Sequence, residues 1–340
     1  MKPYSPHARV HGGPDQAGVP LHDFSTNSNA CGPSPDALAA IAQADPTQYP
    51  DAAYINLRQQ LAGFHQVDVE RIVLAASASE FIFRITSMVS QRGGRSVSLP
   101  DHSYGDYAQA ASAFAMEPVG AQADARLCWS CDPSSPQGRT DERLQGLVNS
   151  QAASDVVVLD RAYEPLRLEG ALQLPDVLLQ KIWQLWTPNK ALGLTGVRAA
   201  YAIAPAGDHA VIEAMEQLCP SWPLGSHGVA MLQAWIQPEV QAWLDGSKTT
   251  LRIWKARQLD LCKRLGWRCE DSHGNFFCAR PALPDSISFL DTLSRLRTLG
   301  IKLRDTSSFG LPGMVRISVQ SPEAQDALLY AWRSITGKIT

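Results

Sequence analysis

Short apolar runs alternate with helical-period segments through the middle of the chain. RIVLAAS (71–77), RSVSLP (95–100), RLCWSC (126–131), SDVVVLD (154–160), KIWQLW (181–186) and AAYAIAP (199–205) are each too short for a helix and mostly apolar. Such runs predict buried strands. Between them lie SPDALAAIAQA (34–44), INLRQQLAGFHQV (55–67), SEFIFRITSMVSQ (79–91), an Ala-rich stretch at 107–115 and DERLQGLV (141–148). Their apolar residues recur at helical spacing. Ser34 is placed to cap the first helix, with Pro35 at its first position. Strands alternating with helices predict an α/β fold, a mostly parallel sheet sandwiched by helices. From about residue 240 the pattern changes. LRIWKARQLDLCKRLG (251–266) predicts a long helix, FFCARP (276–281) and VRISVQ (315–320) predict strands, and a helix follows. The expected organisation is an N-terminal arm over 1–34, a large domain over 35–240 and a smaller α+β domain over 241–340.

Composition narrows the function classes. The 340 residues are 45% hydrophobic and 19% charged, with a formal net charge of −3. There is no basic block, so nucleic acid and anionic membrane are not expected partners. No apolar run is long enough to span a bilayer, and MKPYSPHARVHGG lacks the apolar core of a secretory signal. A cytoplasmic protein is expected. The seven cysteines are scattered, with one close pair, Cys128 and Cys131. No second pair stands at metal spacing, so reduced thiols and no metal site are expected.

Candidate chemistry centres on TPNKALGLTGVR (187–198). The chain has eight lysines, and none lies between Lys2 and Lys181. Lys190 is flanked by small residues on both sides, a setting in which a desolvated amine can react with an aldehyde. Arg198 lies beyond the Gly193–Gly196 turn and could bind an anion. Two solvated cations at a helix cap are the plainer alternative. Asp160 ends an apolar strand, where α/β sheets place ligand-binding groups, and Tyr163 follows. A carboxylate capping the next element is the alternative there. Ser77, Ala78 and Ser79 stand at a strand-to-helix junction whose N–H groups could bind phosphate.

Together these segments resemble the fold-type-I pyridoxal-phosphate enzymes of aminotransferase class I/II. The similarity is greatest to histidinol-phosphate aminotransferases and threonine-phosphate decarboxylases. NSNACGPSP resembles the family's N-x-N-P-x-G-P-S-P, QYPD its R-Y-P-D, VVLDRAY its D-E-A-Y, and TPNKALGLTGVRAAY its S-x-x-K-x-x-G-L-x-G-x-R-x-G-Y. SYGDY, GNFFCAR and IKLRDTSSFGLPGMVRISV match in the expected order, so the resemblance covers nearly the whole chain.

The resemblance implies an aspartate aminotransferase-like fold with the cofactor in the large domain, and the arm counted with the small domain. Lys190 would carry pyridoxal 5′-phosphate covalently. Asp160 would pair with the ring nitrogen, and Tyr163 would donate to the 3′-oxygen. Ser77, Ala78, Ser79, Thr187 and Arg198 would cradle the phosphate. Tyr104 or Tyr107 would lie over the ring face. Tyr49 would reach the cofactor of a second subunit, making a homodimer with shared sites. Arg316 would clamp a substrate carboxylate, with Asn27 and Asn275 near the substrate; for both asparagines a plain turn role is the alternative. Ser135 stands where the family has the asparagine that bonds the 3′-oxygen. Arg161 replaces the acid after Asp160, and Pro188-Asn189 replaces the residues before the lysine.

The implied activity is an aminotransferase moving an amino group between an amino acid or amino-phosphate compound and an oxo acid. VHGG (10–13) with LHDFSTNSN resembles the arm of threonine-phosphate decarboxylases, which makes decarboxylation the alternative and His11 a candidate anion contact. A solvated arm residue is the other reading of His11. A catalytically idle homologue is a third reading, motivated by Ser135 and Arg161; the retained Lys190, Asp160, Tyr163, Arg198 and Arg316 oppose it.

Overall fold

The computed structural model describes residues 11–120, 125–152 and 155–337. Strands β1 (His22–Asp23), β2 (Ile72–Ala75), β3 (Ser96–Ser98), β4 (Glu117–Val119), β5 (Leu127–Cys131), β6 (Val156–Asp160), β7 (Trp183–Trp186) and β8 (Ala200–Ile203) precede the long helix α9 (Pro238–Arg264). Strands β9 (Arg268–Cys269), β10 (Phe276–Arg280), β11 (Ile301–Lys302), β12 (Arg304–Asp305) and β13 (Val315–Ser318) follow. The helices are α1 (Pro35–Gln43), α2 (Ile55–His65), α3 (Ala78–Gln91), α4 (Gly105–Ala113), α5 (Leu144–Ser150), α6 (Asp176–Leu179), α7 (His209–Gln217), α8 (Ser226–Trp235), α9 (Pro238–Arg264), α10 (Phe289–Thr298) and α11 (Pro322–Thr336). The first helix begins as its sequence predicts: Ser34 Oγ accepts from the Ala37 N–H, and Pro35 needs no acceptor.

A seven-stranded sheet in the order β2-β8-β7-β6-β5-β3-β4 forms the centre. Alternate residues serve opposite faces. Ile72, Leu74, Tyr201 and Ile203 enter one core, while Val73, Ala75, Ala200 and Ala202 enter the other. Both faces are covered, which is why most of the strands read as largely apolar runs. The sheet is mostly parallel, as expected, but β8 runs antiparallel to both β2 and β7.

A separate core surrounds the antiparallel sheet β12-β13-β10-β9 and includes Phe277, Ile317, Leu328 and Trp332. The 27-residue α9 serves two of these cores, giving Val240, Leu244 and Leu251 to the core with Ile72 and Tyr201 and Leu261 and Cys262 to the smaller sheet's. The N-terminal arm returns to this second unit: β1 pairs in parallel with β11, His22 opposite Ile301. No helix among the described residues is long and apolar enough to cross a membrane.

Candidate active site

The parallel strands deliver their following residues to one edge of the sheet, where α/β folds bind ligands. Asp160 is the last residue of β6, and Ser77, Tyr104, Ser135, Thr187 and Lys190 follow β2, β3, β5 and β7. Because β8 is reversed, its start lies at this same edge and brings Arg198 with it.

Asp160 is 5% exposed. Tyr107 donates to its Oδ2 at 2.6 Å and the Ala162 N–H to its Oδ1 at 2.9 Å. Burial pushes this carboxyl above the usual range, while Tyr107, the Ala162 N–H and the Lys190 charge hold it back. Lys190 Nζ lies 5.2 Å from the centre of the Tyr163 ring. Tyr163 in turn meets Phe276 edge-on. Lysine, aspartate and tyrosine thus converge as the sequence motifs suggest.

Tyr107 departs from the expected ring-face position. It is 0% exposed and stacked on Trp129, so it has no surface open to a ligand and acts through Asp160. Tyr104 remains partly open, with its hydroxyl 3.3 Å from Ser79 Oγ. The exposed His11 ring lies 6.1 Å from Tyr104.

At the start of α3, Ser77 Oγ caps the Glu80 N–H at 3.1 Å. The Ala78 and Ser79 N–H groups have no protein acceptor among the described residues. Thr187 Oγ1 is buried and equally without a partner. The two N–H groups are free donors at a helix N-terminus, where the dipole favours an anion.

The arm segment 25–29 is tied to three parts of this centre. The Asn29 N–H donates to the Lys190 carbonyl at 2.9 Å, Asn275 Nδ2 to the Ser28 carbonyl at 3.0 Å, and Arg316 Nη2 to the Ser25 carbonyl at 2.8 Å. Gly193, at φ +71, fits the turn after Lys190 against the arm: a Cβ there would fall 2.6 Å from the Gly32 carbonyl oxygen. Asn27 is 1% exposed, and neither atom of its amide has a partner. Asn275 Oδ1 is also unpartnered.

Arg316 is 7% exposed, and its Nη1 donates to Ser135 Oγ at 3.2 Å. Directly across the ladder stands Arg304, which the sequence motifs left without a role. Burial, with Arg316 next in weight, pulls its pKa down to about 10. Two buried guanidiniums therefore flank Phe309, at 4.7 and 5.8 Å from its ring centre.

Tyr49 lies apart from this cluster. It is 79% exposed and stacks on Trp222. Both line a cleft of about 660 Å³ that also receives Arg198 and His227. Among the described residues, no group of three His, Cys, Asp or Glu side chains is arranged to hold a metal.

The fold and this strand-end constellation define an enzyme with the aspartate aminotransferase-like architecture. Aspartate aminotransferase from Thermus thermophilus superposes with a TM-score of 0.77 at 18% identity, over 92% of this chain and 91% of that one. The chain belongs to the aminotransferase class I and II family, whose model matches residues 121–331. It is an aminotransferase of a pyridoxal-phosphate-dependent family. Histidinol-phosphate aminotransferase of Jannaschia sp. (strain CCS1) is 26% identical over 328 residues, 90% of this chain and 89% of the relative. Histidinol-phosphate aminotransferase 1 of Bordetella parapertussis is 28% identical over 340 residues, with 93% and 92% covered. L-threonine-O-3-phosphate decarboxylase from Porphyromonas gingivalis shares the fold with a TM-score of 0.77 at 20% identity, over 93% and 99% of the two chains. Histidinol-phosphate aminotransferase from Sinorhizobium meliloti, solved with pyridoxal-5′-phosphate, gives 0.77 at 20% identity, over 91% and 90%.

Proposed function

We propose that the protein binds pyridoxal 5′-phosphate on Lys190 and transaminates an amino acid or amino-phosphate compound. The convergence of Lys190, Asp160 and Tyr163 at the strand ends carries this reading. The donor set fits the cofactor. Asp160 is a buried carboxylate that gains from a cationic ring nitrogen, because its burial otherwise disfavours the charge. The unpartnered Thr187 hydroxyl and the Ala78 and Ser79 N–H groups suit the phosphate, with Ser77 shaping the helix start and Arg198 approaching from the solvent side. Tyr163 suits the 3′-oxygen and Tyr104 the ring face.

When bound, pyridoxal phosphate supplies an electron sink for bonds at the substrate α-carbon. Arg316 holds the substrate carboxylate, exchanging its present bonds to Ser135 and Ser25 for a bidentate fork. Lys190 Nζ takes and returns the α-proton as general base. The second buried guanidinium, Arg304, supports a substrate with a further anionic group, in keeping with the phosphorylated substrates in the relatives' names. The unpartnered amides of Asn27 and Asn275 are placed to read its polar groups. Tyr49 serves a neighbouring subunit's site in a homodimer.

Decarboxylation is the second reading, favoured by the placement of His11 beside Tyr104. Incubation with phosphorylated amino acids separates the two: an oxo acid supports transamination and carbon dioxide decarboxylation. Borohydride reduction followed by peptide mapping tests the cofactor assignment. Label on Lys190 supports it, and label on any other lysine overturns it.

A further inference from the structure

Arg161 stands where the related motif carries an acid, and the functional reading leaves it unused. It is the end of a chain of alternating charges behind the site. Arg161 Nη2 lies 3.5 Å from Glu164 Oε1, Arg167 Nε donates to Glu164 Oε2 at 2.8 Å, and Arg167 Nη2 binds Asp132 Oδ1. These side chains are only 1% to 19% exposed, so solvent screens them little. The chain joins three strand ends. Asp132 follows β5 and leads to Ser135. Arg161, Glu164 and Arg167 follow β6 and enclose Tyr163 in a turn closed by the Glu164, Leu166 and Arg167 N–H groups. Arg161 reaches β7, donating to Gln184 Oε1 at 2.9 Å and lying 4.3 Å over the Trp186 ring, next to Thr187.

We propose that Asp132, Arg167, Glu164 and Arg161 form a positioning strut that locks the ends of β5, β6 and β7 together and so sets Tyr163 against Lys190. The inference rests on the roles given to those two residues above. Glu164 is the critical member, since it alone separates two buried guanidiniums.

The test is Glu164→Gln in the full chain. The kcat is expected to fall by about tenfold or more with little change in KM, as for a small misplacement of groups that act together. In the cofactor-free chain, the acylation rate of Lys190, read by peptide mass spectrometry against exposed Lys181, should change by about threefold or more. Glu164→Asp keeps the charge and should recover part of both. A folded Glu164→Gln with both quantities within about twofold of the parent overturns the strut. Should that variant not fold, Arg161→Gln at the chain's end replaces it, with the same expected direction and the same overturning result. A parent protein without a cofactor absorbance band would sink the functional reading, while the Lys190 acylation comparison would still decide the strut.

Discussion

Tyr107 donates a 2.6 Å hydrogen bond to Asp160 Oδ2 while its ring lies flat on Trp129, 4.4 Å between centroids. Tyr107→Phe keeps the stack and removes the donor. Asp160, already pushed up by burial, should then protonate at higher pH. The acid limb of the kcat/KM profile should move upward, because activity needs the carboxylate. Loss of a hydrogen bond to a charged group should cost about 1.5–3 kcal/mol of stability, read by urea denaturation. An unmoved acid limb would show that Asp160 does not govern it.

Arg316→Lys retains the charge but loses the fork. Turnover should fall by about tenfold or more, on the scale of about 1.4 kcal/mol per decade. Cofactor affinity should stay unchanged, because Arg316 stands on β13 of the smaller sheet and bonds to Ser135 and Ser25, not to the phosphate-binding residues proposed above. Cofactor titration and turnover on the same preparation check both halves.

Stability should fall in acid through His65. Burial first, and Arg161 second, hold its pKa down to about 4. Tyr201 receives the Trp235 N–H at 3.1 Å, which leaves its own proton for His65 Nε2 at 2.7 Å. Folded His65 stays neutral while the unfolded chain protonates near 6.5, so stability is lost as pH drops from about 6.5 towards 4. The loss should reach about 3 kcal/mol, and His65→Gln should flatten it. Denaturant midpoints across that range give the answer.

The strand ends were legible because burial on both sheet faces leaves runs such as VVVL and AYAI mostly apolar. Lys190 stood out through its small neighbours. The reversal of β8 was not legible, since an apolar run reads the same in either direction. Nor could the aromatic pair reveal that Tyr107, not Tyr104, takes the Trp129 stack. Arg304 lies in a two-residue strand with no periodicity to mark it. The Arg161, Glu164 and Arg167 spacing is visible, but Asp132 joins them only through the fold.

The protein should sediment as a homodimer. Tyr49 and Trp222 are 79% and 45% exposed, a costly display of aromatic surface unless a second copy covers it. The interface should exceed about 2,000 Å². A stable, active monomer would contradict this, and Tyr49→Ala should weaken activity without unfolding the subunit.

The stitched arm also orders events during synthesis. Ser28 and Lys190 lie 162 residues apart, Ser28 and Asn275 247, and Ser25 and Arg316 291. At about 5–20 residues per second, the arm waits roughly 15–60 s on the ribosome before its last partner exists. The large sheet can close first, but the pocket cannot. A nascent chain stalled before β13 should therefore hold a folded sheet and an unfinished catalytic centre.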